Sequence, residues 1–247
     1  MIIILSSAKT LKEIKSKTQD GTKPIFEKET NQIVEKLKKK SLVEIKEILN
    51  TNNKIAQLNL ERFQNFHKIK KKLAIFNYNG LVFKQLDREK YNQNQINFTQ
   101  KHILILSGIY GILKPLDLIS DYRLEMSCKI NQIKMSDFWK KSITQEVNNS
   151  LKDHEEKYVI NLASLEYSSS LDQNSLIYPL ININFKIYKD NKYQTIGIFA
   201  KKARGLMLNY IISNKITKLE EIKGFNLENY RFNKEKSDKT NLVFLKE

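Results

Sequence analysis

The segment from Leu106 to Glu125 crowds glycines, tyrosines and charged side chains directly behind an apolar run. Arg123 and Glu125 are two apart, so an extended backbone would put both on one face. Asp117 or Glu125 could act as a general acid or base if burial raised its pKa. The same charges could instead form an Arg–carboxylate network that only locks a turn. The segment is therefore a candidate wall of a polar site.

A second candidate is the basic run Lys201-Lys202-Ala203-Arg204. On a helix, Lys201 and Arg204 share a face. If the preceding strand ends near Phe199, these cations lie in the first helical turn, beside the positive end of the helix dipole. That end is unfavourable for cations but attracts an anion. The pattern predicts an anion-binding helix, with a solvated basic face as the alternative.

The third candidate is the stretch from Asn161 to Tyr167, which follows another apolar run. Asn161 and Glu166 would lie near the same strand end. Ser164 has no recognisable catalytic partner, and the G-x-S-x-G turn of hydrolases is absent. We therefore predict that Ser164 caps a following helix rather than acting as a nucleophile.

Short, continuous apolar runs predict the buried strands that position these groups. They are Ile2 to Leu5, His102 to Leu106 and Tyr158 to Leu162, and a hairpin is predicted from Leu176 to Ala200. Helical patterns separate the strands. We predict one mixed α/β (α+β) domain over residues 1–247, with a mixed sheet flanked by helices and an early helical subdomain at about residues 24–72.

Within that subdomain, the segments Leu42 to Leu49 and Asn53 to Phe66 predict two helices joined by a tight polar break. Backbone amides and Lys54 at such a break could bind phosphates. The loop lacks the glycines of a well-formed helix-hairpin-helix, so an ordinary helical hairpin is the alternative.

The amino-acid composition limits which partners, metal sites and cellular compartments are possible for the protein. Lys and Arg number 43 against 27 Asp and Glu, a formal net charge of +16, which favours polyanionic partners or serves only solubility. The single cysteine, Cys128, excludes an intramolecular disulfide and indicates a reducing compartment. The three histidines are far apart, so no metal site or cofactor is predicted. No apolar window is long enough to span a membrane. We expect a soluble, cytoplasmic monomer.

Six motifs, in this order, resemble the YaaA family of peroxide-stress-response proteins: SSAKTL, SGIYGILKPLDLISDYRLEM, FWKKSI, VINLASLEY, AKKARGLM and LVF. The resemblance implies a mixed α/β fold with a positively charged cleft and a helix-hairpin-helix-like element. It also implies a cytoplasmic protein that binds DNA and limits peroxide damage by lowering unincorporated iron.

Carried onto matching positions, the resemblance places cations in the cleft at Lys9, Arg123, Lys201, Lys202 and Arg204. Lys54 joins them through the helical hairpin. The supporting polar cluster is Tyr110, Tyr122, Asn161 and Ser164, and the candidate catalytic carboxylates are Asp117, Glu125 and Glu166.

Three functions follow from these residues. The first is DNA binding, largely independent of sequence, because phosphate contacts position rather than specify. The alternative is an enzyme that acts on a nucleotide or another anionic small molecule in the same cleft. Direct iron sequestration is disfavoured, because the sequence has no His or Cys cluster.

Overall fold

The structure, a computed structural model, describes residues 1–16 and 21–247. Its strands are β1 Ile2–Ser6, β2 Lys72–Leu73, β3 Ile103–Ser107, β4 Gly111–Leu113, β5 Leu118–Ile119, β6 Lys129–Ile130, β7 Ile133–Lys134, β8 Val159–Asn161, β9 Leu180–Lys189, β10 Lys192–Gln194, β11 Arg231–Phe232 and β12 Asn241–Lys246. Its helices are α1 Glu27–Lys38, α2 Leu42–Ile48, α3 Asn53–Gln64, α4 Ala74–Asn77, α5 Gln93–His102, α6 Met135–Ser150, α7 Leu165–Ser168, α8 Gly197–Asn214 and α9 Leu219–Ile222, with 3₁₀ turns at Phe83–Gln85 and Leu227–Asn229.

The main sheet has the strand order β11-β12-β9-β8-β1-β3-β4, and β10 pairs with β9. The five inner strands from β12 to β3 are parallel, whereas β4, β10 and β11 pair antiparallel. The predicted mixed sheet in a single mixed α/β domain is therefore confirmed.

Strand β1 lies in the middle of this sheet because its side chains are apolar on both faces. Ile3 pairs with Ile103 on one side and Ile160 on the other, and Ile3 and Ile4 are completely buried. Strands covered on both faces read as continuous apolar runs. The predicted strands at the N-terminus, after His102 and after Tyr158 are confirmed.

Helices α2 and α3 pack as a hairpin. The Glu44 amide donates to Ser41 Oγ at 3.3 Å and the Ser41 amide donates to Glu44 Oε2 at 2.8 Å, forming a capping box. In the loop, Asn50 has φ of +42°, a left-handed conformation that asparagine tolerates better than most residues. Asparagine thus replaces the glycine that the loop lacks.

Helix α8 begins at Gly197, three residues before the predicted start. Lys201 therefore lies in the second helical turn, so the prediction that the basic run occupies the first turn is wrong. A Cβ on Gly205 would lie 2.3 Å from the carbonyl oxygen of Val82, which explains why the helix can approach the segment before the 3₁₀ turn so closely.

In the described part of the chain, no helix combines the length and apolar character needed to cross a membrane.

Candidate functional site

The carboxyl ends of β1, β3 and β8 meet at one edge of the sheet, because these strands are parallel. Ligand sites of open α/β sheets form at such ends. A cavity of about 250 Å³ opens there, which we call the strand-end cavity. Its polar lining includes Ser6, Ser7, Ser164 and Tyr167, and α8 contributes two cations.

Those cations are Lys201 and Arg204. Lys201 is exposed and Arg204 is half-buried. Burial lowers the pKa of Arg204, but an arginine stays charged in a protein. Among the described residues, neither side chain has an acidic partner within 4.0 Å. The two predicted cations therefore lie at one site, and neither forms an ion pair with a described residue.

A second cavity of about 650 Å³ adjoins the first, since Lys9 lines both. We call it the hairpin cavity, because the α2–α3 loop forms part of its wall. Its lining includes three lysines and three glutamates: Lys9, Lys40, Lys129, Glu44, Glu47 and Glu125. Its charges are therefore mixed rather than uniformly positive.

Between these cavities, Glu125 binds two cations. Lys9 Nζ lies 2.8 Å from Glu125 Oε1, and Arg123 Nε donates to the same oxygen at 3.1 Å. Burial tends to raise the pKa of Glu125, but Lys9 and Arg123 outweigh it and the pKa is lowered. Glu125 is therefore an anion at neutral pH and not a proton donor. The predicted shared face of Arg123 and Glu125 is confirmed.

The lone cysteine lies beside this pair. Cys128 Sγ donates to Glu125 Oε2 at 3.4 Å. Burial and the neighbouring negative charge raise the pKa of the Cys128 thiol to about 12. Since the thiolate is the reactive form, Cys128 is an inert structural thiol at neutral pH.

A chain of hydroxyls runs from the strand-end cavity into the core. Ser7 Oγ donates to the Tyr167 hydroxyl at 3.3 Å, and it also favours the charged form of Tyr122. The Tyr122 hydroxyl bonds Ser107 Oγ at 2.5 Å and the Tyr78 hydroxyl at 2.6 Å. Burial raises the pKa of Tyr122, so these groups remain neutral hydroxyls.

Several predicted site residues have other roles. Asp117 accepts from Thr22 Oγ1 at 2.6 Å and from the Lys114 amide at 2.7 Å. It lines neither cavity, so it braces the turn before β5. Lys202 pairs with Glu228 at 2.8 Å and also lies outside both cavities. Lys54 is exposed in the first turn of α3 and lines neither cavity.

Two residues of the predicted polar cluster, Asn161 and Tyr110, also make structural contacts instead of lining a cavity. Asn161 donates to Asn182 Oδ1 at 2.8 Å, linking β8 to β9. The Tyr110 hydroxyl accepts from the Ser120 amide at 2.9 Å and lies outside both cavities. Both therefore support the fold.

Ser164 and Glu166 do line the strand-end cavity. Ser164 holds the N-cap position of α7 as predicted, but its side chain makes no capping bond. Its hydroxyl instead faces Ser6 Oγ at 3.3 Å. Glu166 accepts from Ser127 Oγ at 2.8 Å.

The segment Gly80 to Phe83, which forms an apolar part of the strand-end cavity, could not be assigned to the site from the sequence. The Tyr78-Asn79-Gly80 turn marks its start, but only the packing of Gly205 against Val82 shows why it lies there. In the described residues, no group of three or more His, Cys, Asp or Glu side chains could hold a metal ion.

Comparison with known proteins agrees with the resemblance. A sequence model for the peroxide stress protein YaaA matches residues 1–236. The chain is 47% identical over 249 residues to a UPF0246 protein of Rickettsia felis, covering all of both chains. UPF0246 proteins of Rickettsia bellii and Rickettsia rickettsii are 46% and 44% identical with the same full coverage. The chain therefore belongs to the family of the peroxide stress protein YaaA.

Proposed function

We propose that this protein acts in the peroxide stress response by binding DNA, largely without sequence preference. The two adjoining cavities form the binding groove. The main observation in support of this proposal is that Lys9 lines both cavities. The α2–α3 hairpin and α8 therefore flank one continuous groove.

Cations without an acidic partner lie on both elements that flank this groove. Lys54 is exposed on the hairpin and Lys201 on α8, and neither forms an ion pair with the described residues. Arg123 Nη1 donates to Thr51 Oγ1 at 3.5 Å, which connects the hairpin loop to the ion pair of Arg123 with Glu125, a residue that lines the hairpin cavity. With a net charge of +16, these cations suit a phosphate backbone.

The test is a salt titration of binding to duplex, junction and single-stranded DNA. We expect affinity to fall steeply with salt, because bound cations release counterions. The variant Lys54→Gln/Lys201→Gln should reduce the salt slope on duplex DNA by about 1.8, or about 0.9 for each lost phosphate contact. Lys202→Gln is the matched control, since its ammonium is paired with Glu228. A flat titration, or equal losses in both variants, contradicts the proposal.

From the family, we further propose that the protein works in the cytoplasm and lowers unincorporated iron. In the described residues, no group of three or more His, Cys, Asp or Glu side chains could hold an iron ion, so we propose that the effect on iron is indirect. In a bacterial strain without its own family member, expression should improve survival under peroxide and lower chelatable iron. If the Lys54→Gln/Lys201→Gln variant improves survival under peroxide and lowers chelatable iron as fully as the wild type does, DNA binding is not the cause of these two effects.

A further inference from the structure

Arg204 is a cation that has no anionic partner among the described residues. Its guanidinium lines the strand-end cavity, is half-buried, and has neither a hydrogen bond nor an ion pair with any described residue. An uncompensated charge taken out of water destabilises a protein. A bound anion would remove that penalty.

Other donors converge on the same space. Lys201 lies one helical turn before Arg204 on the same face. Ser6, Ser7 and Ser164 also line the cavity, where Ser7 Oγ donates to Tyr167 and Ser6 Oγ shares a hydrogen bond with Ser164 Oγ, so a ligand would compete with these bonds. Hydroxyls and a guanidinium are typical donors to phosphate oxygens.

Two acidic groups lie close by. Glu166 lines the cavity, but its Oε1 accepts from Ser127 Oγ at 2.8 Å and from the Ser127 amide at 3.3 Å. Glu125 is paired with Lys9, which also lines the cavity. Lys201 and Arg204 therefore outweigh the one remaining carboxylate, and the cavity stays attractive to an anion.

Part of the cavity wall is apolar. Leu81, Val82, Phe83 and Leu162 line it, and Leu81 is 40% exposed at the opening. Leu165, which follows Ser164, is 84% exposed. With a volume of about 250 Å³, the cavity is just below the usual size range of small-molecule sites, and a duplex would have to lie across it rather than inside it.

We propose that the strand-end cavity binds a small phosphate monoester with an aromatic or apolar body, of the class of a nucleoside monophosphate. Arg204 and Lys201 hold the phosphate, and the Leu81–Phe83 segment contacts the body. A phosphate monoester carries a charge of about −1.5 to −2 at neutral pH, which matches two cations better than a carboxylate does. This site does not depend on DNA binding.

Calorimetry at low salt tests the site with four probes: adenosine monophosphate, phenyl phosphate, inorganic phosphate and adenosine. At least one of the two esters should bind the wild type at least tenfold more tightly than inorganic phosphate and adenosine. Arg204→Gln should weaken that ester at least tenfold. Lys202→Gln, on the same helix but paired with Glu228, should bind it as the wild type does.

Three results would overturn the proposal: no ester binding by the wild type at millimolar concentration, equal binding by Arg204→Gln, or inorganic phosphate binding as tightly as both esters. If circular dichroism shows that Arg204→Gln does not fold, Lys201→Gln replaces it, because Lys201 is exposed. That variant should bind at least threefold more weakly, and wild-type affinity would count against the site. Ester binding without DNA binding removes only the proposed function, and DNA binding without ester binding removes only this site.

Discussion

The ammonium of Lys9 lies 2.8 Å from Oε1 of Glu125, yet Lys9 is 60% exposed and Glu125 only 5%. The pair is therefore asymmetric: water can replace the partner of Lys9 but not the partners of Glu125. Since Arg123 binds the same oxygen and its side chain is only 16% exposed, Glu125 compensates one cation that water reaches and one that it hardly reaches.

Glu125→Gln should therefore destabilise the fold much more than Lys9→Gln. Loss of the carboxylate leaves Arg123 without a counter-charge, and we expect a decrease of roughly 2–3 kcal/mol in the free energy of unfolding, below the full effect for a wholly buried pair. Lys9→Gln should lower it by less than about 1 kcal/mol, as for exposed pairs. Urea unfolding at pH 7 measures both, and equal losses would contradict the asymmetry.

Two buried histidines near the amino-terminal end of β1, His102 and His154, should make the stability of the fold depend on pH. His102 Nδ1 bonds the carbonyl oxygen of Met1 at 2.9 Å, and the ring of His154 lies 4.7 Å from that of His102. Burial lowers the pKa of His154 to about 4. The unfolded chain then binds more protons than the folded one, so stability present above about pH 6.5 is lost as the pH falls toward 4.

His154→Gln should flatten this dependence by up to about 1.4 kcal/mol per pH unit between those limits. Unfolding curves from pH 7 to pH 4.5 measure the slope. The control is His67→Gln, since His67 is exposed and the comparison tests whether the change in slope is specific to His154. Equal slopes for His154→Gln and the wild type would refute the assignment.

Local sequence rules predicted much of this architecture. The apolar runs predicted β1, β3 and β8, and the hairpin turn at Asp190 and Asn191 is confirmed, with both residues at positive φ. Alternation alone placed Arg123 beside Glu125. These features depend on residues that are near each other in the chain.

Roles set by distant partners could not be predicted in this way. Lys202 looks equivalent to Lys201 in sequence, but Glu228, 26 residues later, pairs with it. Asp117 looked catalytic because it lies among other charges, whereas Thr22, 95 residues earlier, binds its carboxylate. The N-terminal limit of α8 was missed because no capping side chain marks it.

Asp117 should affect stability and not binding. Burial raises its pKa to about 6 despite its bonds to Thr22 and Lys114. The folded chain then binds more protons than the unfolded chain between about pH 4 and 6, so this group's contribution to stability falls as the pH rises through that range. Relative to the wild type, Asp117→Asn should gain stability from pH 4 to pH 7 and keep its affinity for DNA. A constant difference across that range, or weaker DNA binding, would contradict this role.

Gly205→Ala should disrupt the contact between α8 and the apolar wall of the strand-end cavity. Alanine favours a helix interior by about 1 kcal/mol over glycine, but its Cβ would lie 2.3 Å from the Val82 carbonyl oxygen. We expect the clash to dominate, with a net loss of about 1–3 kcal/mol in the free energy of unfolding.

Gly197→Ala is the matched control, because a Cβ at this first residue of α8 meets nothing within 4 Å. It should be neutral or stabilising by less than about 1 kcal/mol. Thermal unfolding distinguishes the two, and a Gly205→Ala variant as stable as Gly197→Ala would show that α8 can shift away from Val82.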